Sequence, residues 1–348
     1  MNPRLAALDT IAACLTVGKT SEQVSALGQQ LSSGRIDWHE VIKLANSTLV
    51  SPTLWAELCS LSLQDTLPAE IQDYLGEIHR LNTQRNLRLR DQTIETVRTV
   101  NSIDVVPVLL KGAASLFVET YHDLGSRILT DIDILVPHQS AEDCWDLLCT
   151  QGYRSYENGI GAVNPEIQHH LEPLARPGEY AVIEIHHAVL PPFISGRLFG
   201  ASLTAKNAAQ LTKMVINSAE CVPTADLSLA APSPTARVLH CILHSAFFES
   251  NAYRSGTLPL RSIHELALLQ NLFSTKIDWP AISRFMAEDG KSTVLRCWVY
   301  LSHRLFGCPM PNGWNTTPQM LAHYARCRLQ SRWGVSVTLR HLTRIDAR

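Results

Sequence analysis

The chain is short of charge and shorter still of charge imbalance. Only 18% of its 348 residues are Asp, Glu, Lys or Arg, and the net charge is −2. That balance gives no overall argument for a nucleic-acid or membrane partner, so any basic patch must be local. No apolar run approaches the roughly 20 residues of a membrane helix, which argues against a spanning segment. The N-terminal MNPRLAALDTIAACL carries Asp9 and lacks the apolar length of a secretory leader. Nine cysteines are scattered with no CxxC spacing. Such a set reads as reduced, buried thiols, and the expectation is a cytoplasmic protein. No GxSxG elbow, Walker loop, kinase signature or HExxH helix occurs. Internal repeats and low-complexity tracts are also missing.

What is present is enough apolar sequence, 45%, to bury a large core in two or three packed units. Residues 1–100 read as a helical region. Leu5, Leu8, Ile11, Ala12 and Leu15 recur at helical spacing, Ser21 and Ser51-Pro52 open further helices, and a long arginine-rich helix runs from Pro68 to Asn101. Its Arg80, Arg85, Arg88 and Arg90 fit a solvated face better than a phosphate site. From residue 101 to 192 the period changes. Val105 to Leu110 reads as a buried strand, Gly112 to Tyr121 as a helix, and Ile128 to Val136 as a second strand. Ser140 to Gln151 is helical, and Glu179 to Val189 is a later strand. Residues 193–348 turn helical again, with a strong start at Ser233-Pro234. The fold class is α+β, a small mixed sheet flanked by helical regions.

Chemistry concentrates in the middle region. In the second strand Asp131 and Asp133 flank Ile132, so both carboxylates share one face while Ile132, Ile134 and Val136 take the other. Like charges at that spacing repel, and a fold keeps them most readily around a cation. Hard oxygen ligands suit magnesium.

Leu109-Leu110-Lys111-Gly112, then Arg127, then Asp131-Ile132-Asp133, resembles the bacterial uncharacterised nucleotidyltransferases of the DNA polymerase beta-like superfamily. A later Glu184-Ile185-His186-His187 fits that family's third carboxylate motif, with Glu for Asp and His for Trp. The resemblance covers about Gln84 to Gly290. It implies transfer of a nucleoside monophosphate from a nucleoside triphosphate such as ATP to an unidentified acceptor: a small molecule, a peptide or protein, or an RNA end. It further implies two magnesium ions on Asp131, Asp133 and Glu184, and a role in natural-product tailoring. Lys111, Gly112, Ala113 and Arg127 would then hold phosphates, the glycine by letting backbone approach closely at a helix start. Arg127, with its oxygen-pair fork, would brace a triphosphate or a carboxylate. A second reading keeps the fold as a nucleotide- or partner-binding protein without turnover. His186 shares the face of Glu184 and either bonds a metal ligand or packs structurally. His240 and His244, four apart on a helix, and His264 read as packing or a substrate-facing wall rather than zinc ligands. A basic C-terminus (Arg326 to Arg348) leaves contact with nucleic acid open.

Overall fold

The structure is a computed structural model and describes residues 2–156, 169–191, 204–248 and 251–333. Four helices lead: α1 (Pro3–Leu15), α2 (Ser21–Leu31), α3 (Trp38–Ser47) and α4 (Ser51–Ser60). The 33-residue α5 (Ala69–Asn101) follows. Then come β1 (Val108–Leu109), α6 (Lys111–Ser115), β2 (Asp131–Leu135), α7 (Ala141–Thr150), β3 (Arg154–Ser155), β4 (Leu174–Ala175) and β5 (Val182–His186). Next are α8 (Ala205–Asn217), β6 (Glu220–Cys221) and β7 (Ala230–Ala231). Seven helices close the described chain. They are α9 (Pro234–Leu243), the short π-helix α10 (His244–Phe248), α11 (Ala252–Ser255), α12 (Leu260–Leu272), α13 (Trp279–Glu288), α14 (Ser292–Phe306) and α15 (Pro318–Trp333). Arg340, Arg344 and Arg348 of the basic C-terminus lie outside the described residues.

The sheet is mixed, in the order β3-β4-β5-β2-β1-β7-β6. Its centre is the parallel pair β2 and β5, with β1 antiparallel on the other side of β2. The alternation expected of the Asp-x-Asp strand holds. Ile132, Ile134 and Val136 join one apolar core with Ile183 and Ile185. Leu135, on the aspartate face, joins the other core. That second core is large and draws on both helical regions: Leu8 and Ile11 from α1 pack in it with Leu301, Leu305 and Phe306 from α14. The two aspartates open β2 rather than end it.

The helix expected over Gly112–Tyr121 stops at Ser115, and residues 116–130 run as an irregular loop. The later part of that loop is held by α5. Asn82 donates to the carbonyls of Gly125 (2.6 Å) and Arg127 (3.0 Å), and Asn86 donates to those of Leu124 (2.7 Å) and Arg127 (2.8 Å). Arg85 donates to the Leu129 carbonyl, and His79 bonds Asp123 at 2.6 Å. The carbonyls of Leu124, Gly125, Arg127 and Leu129 are thus paired by side chains rather than by regular secondary structure. Arg85 is thus a loop anchor, while Arg80 pairs with Glu77 at the surface and Arg88 lies over the Tyr180 ring. The loop delivers Arg127 and the start of β2 in a fixed position.

Buried neutral histidines make the fold acid-sensitive. Burial pushes both His244 and His264 down to about 3. In the unfolded chain these groups protonate near 6.5. Between those values the unfolded chain binds more protons, so stability is full above pH 6.5 and falls as pH drops towards 3. We expect the urea midpoint to decline from pH 7 to pH 5, before most carboxylates titrate. His264→Gln should flatten that slope.

Candidate active site

The parallel register sets Asp133 opposite Glu184 and Asp131 opposite Val182. Neighbouring strands lie about 4.8 Å apart, so the Asp133 and Glu184 side chains rise together from one face. His186, two residues on, stands on the same face. Its Nε2 is 2.8 Å from Asp133 Oδ1 and 3.4 Å from Glu184 Oε2. Asp133, Glu184 and His186 offer ligand atoms that all lie within 4.8 Å of one another. Asp131 does not belong to that trio. It is half-buried at the mouth of the same face, its Oδ1 accepting from the Thr130 hydroxyl at 3.1 Å.

The two aspartates are electrostatically unlike. Asp133 is 0% exposed, and burial alone would raise its pKa. The Lys111 ammonium, 2.7 Å from Oδ1, and the His186 hydrogen bond reverse this and hold it well below the usual carboxylate range. For Asp131, burial and the Asp133 charge push the pKa up, against Lys111. Lys111 meets its own burial cost, and the Asp133 and Asp131 charges still raise its pKa. His186 follows the same pattern, burial opposing its charge and the Asp133 and Glu184 bonds raising its pKa. The pair is thus split, one carboxyl favoured as the anion by its neighbours and the other one whose charge a nearby cation would favour.

Lys111 therefore points neither to solvent nor freely into the cavity; it turns onto Asp133. Its backbone is left-handed, φ 44°, a strain of about 1–3 kcal/mol for a residue with a Cβ. Gly112 also has a different constraint from the expected one. A Cβ there would collide with Arg127 Nη1 and come within 2.8 Å of Leu129 Cγ. The close neighbours of its missing side chain are thus protein groups. Gly112→Ala should lower stability by about 1–3 kcal/mol through overpacking, measured as a drop in thermal midpoint. With α6 only five residues long, the helix dipole expected behind Gly112 and Ala113 is small. Ala113 itself is buried in the sheet's core.

Arg127 braces a carboxylate. Its Nε and Nη2 lie 3.0 and 2.9 Å from Glu265 Oε2, with both side chains nearly buried. Glu265 sits on α12, so this pair ties the loop before β2 to the C-terminal helices. Burial would raise the Glu265 pKa, but Arg127 and Arg237 lower it.

Beside these groups lies a cavity of about 210 Å³. One wall is Lys111, Gly112, Thr130 and Asp131, from α6 and the start of β2. The facing wall comes from α9 and its π-helical continuation α10, with Arg237, His240 and His244, and from α12, with Arg261. His240 and His264 do not form a metal cluster among the described residues: His264 packs on Phe306 (5.1 Å between ring centroids), while His240 and His244 line the cavity. Of the three histidines, His240 and His244 thus stand on a cavity wall, while His264 serves packing.

Arg237 and Arg261 were not picked out by sequence reasoning. A signal existed: residues 237, 240, 241 and 244 recur at three- and four-residue spacing, a polar stripe on an otherwise apolar helix.

A family model for uncharacterised nucleotidyltransferases matches residues 34–307, well over half of the chain. No curated protein and no solved structure matches it. Among the described residues, no helix is long and apolar enough to cross a membrane. The Asp-x-Asp strand, its register with Glu184 and the cationic cavity all fall inside the matched span, and the chain belongs to the uncharacterised nucleotidyltransferase family.

Proposed function

We propose that this protein transfers a nucleoside monophosphate from a nucleoside triphosphate to a hydroxyl or similar acceptor, using magnesium held by Asp131, Asp133 and Glu184. The observation that carries the reading is the register of Asp133 with Glu184 beside a cavity faced by Asp131 and four cationic side chains. The donor set fits a hard divalent cation. Asp133 Oδ2 is buried without a hydrogen-bond partner, and carboxylate oxygens dominate the cluster. Such a cation, when bound, would supply charge where the reacting phosphate becomes more negative. The division into a core at 101–192 with helical regions at 1–100 and 193–348 belongs to the same reading.

The residues have distinct tasks. Lys111 neutralises Asp133, and its ammonium would be available to a phosphate oxygen if a cation were held by that carboxylate instead. His186 holds Asp133 in orientation through Nε2. Asp131, with its raised pKa and partial exposure, faces the cavity and completes the ligand set where substrate enters. In-line transfer needs positioning and fixed positive charge more than covalent chemistry, and the cavity offers both.

Incubation with labelled nucleoside triphosphates, magnesium and cell extract should label an acceptor and release pyrophosphate. Absence of both products with every triphosphate would sink the reading. One observation favours binding without turnover. The Lys111 ammonium already compensates Asp133 at 2.7 Å. Magnesium-dependent thermal stabilisation by a triphosphate, with no pyrophosphate released, would select that alternative.

A further inference from the structure

The Gly112 turn is poorly equipped to be the main anion holder: its helix is five residues long and its glycine packs against Arg127 and Leu129. The opposite wall is better equipped. Arg237 of α9 lines the cavity; its Nη2 donates to the Thr120 hydroxyl and its guanidinium lies 5.6 Å from the Phe273 ring centroid. Among the described residues no carboxylate forms an ion pair with it, and the Arg127 fork already occupies nearby Glu265. Three guanidiniums, those of Arg127, Arg237 and Arg261, thus share the single Glu265 charge, and a ligand anion would offset the positive charge left in excess. One turn along the same face, His240 is 4% exposed, lines the same cavity, and has an Nε2 with no hydrogen-bond partner. His244 and Arg261 extend the wall.

We propose that Arg237 and His240 of α9, with Arg261 of α12, hold the terminal phosphates of the triphosphate, the half that leaves as pyrophosphate. The clamp rests on the nucleotidyl-transfer reading for its ligand. It adds that the C-terminal helices, rather than the glycine turn, supply the phosphate grip. The cavity's two walls then divide the work: Asp131 faces the reacting phosphorus, and the arginine wall faces the departing phosphates. The arginine fork suits paired phosphate oxygens. The 210 Å³ volume is below the 300–1,000 Å³ of ordinary ligand sites, which suits a phosphate chain better than a whole nucleotide.

The test uses inorganic tripolyphosphate and pyrophosphate without divalent metal, read by calorimetry and thermal shift on the full chain. Wild type and Asp131→Asn should both bind tripolyphosphate. Arg237→Gln should bind it about tenfold more weakly or worse, and Arg237→Lys should recover part of the loss. Free-protein melting reports whether each variant folds. If Arg237→Gln does not, Arg261→Gln is read in the same way. Equal affinity in wild type and the folded glutamine variant would overturn the clamp. So would a lack of tripolyphosphate binding while triphosphate-dependent labelling proceeds, and that result would leave the transfer reading intact. Arg237-dependent binding with no labelling by any triphosphate would keep the clamp and remove the transfer reading.

Discussion

Glu265→Gln should cost the fold about 3–5 kcal/mol, although the change removes only a charge. The glutamine is almost the same size, but it leaves the Arg127 guanidinium buried at 11% exposure without its counter-ion. The penalty is large because Arg127 cannot move away. Asn82 and Asn86 both grip its carbonyl, and Gly112 packs closely against its head group. Urea denaturation should show a lowered midpoint with an unchanged slope. The double variant Arg127→Met with Glu265→Leu should be far less damaged than the single changes add up to. If Glu265→Gln melts with the wild type, the pair is not the tie between loop and helices that its geometry indicates. Acid should act in the same direction. The folded-state Glu265 carboxyl lies below its ordinary value, so its contribution is present above about pH 4.5 and is lost as pH falls through the lowered value.

Asp133→Asn should abolish measurable transfer, a fall of at least about 10²–10³-fold. Stabilisation of several kcal/mol by a carboxylate-held cation corresponds to that range at 1.36 kcal/mol per decade. Asparagine keeps the shape but cannot balance Lys111 or accept strongly from His186. Metal-dependent thermal stabilisation should vanish together with turnover, while circular dichroism reports an intact fold. Retained transfer in a folded Asp133→Asn protein would exclude the residue from the reaction.

How much of this was legible in the sequence differs from element to element. The alternation of Asp131, Asp133 and the isoleucines was readable because strand period is local and strict. Glu184 was reachable only through its motif, since nothing in spacing alone tells which strand will lie beside β2. The loop after Ser115 was misread as helix because its sequence is helix-compatible. The bonds that hold its later part come from Asn82 and Asn86, about 40 residues earlier. Arg127 reads from the sequence as a brace for a triphosphate or a carboxylate, and the carboxylate it pairs with, Glu265, lies 138 residues away. The arginine wall escaped for the same reason, since long-range juxtaposition leaves only a faint polar stripe in the local pattern.

The helical core built from both ends of the chain has a consequence for how the protein is made. Asp9 of α1 pairs with Arg328 of α15, 319 residues away, at 2.9 Å. The first helices leave the ribosome long before the segments that cover them. α3 and α4 cover part of α1 early, but the surface that meets α14 and α15 stays exposed until those helices emerge, a condition that invites aggregation. Truncations that remove α14 and α15 should therefore uncover part of the α1 surface and lower solubility rather than yield a smaller working core.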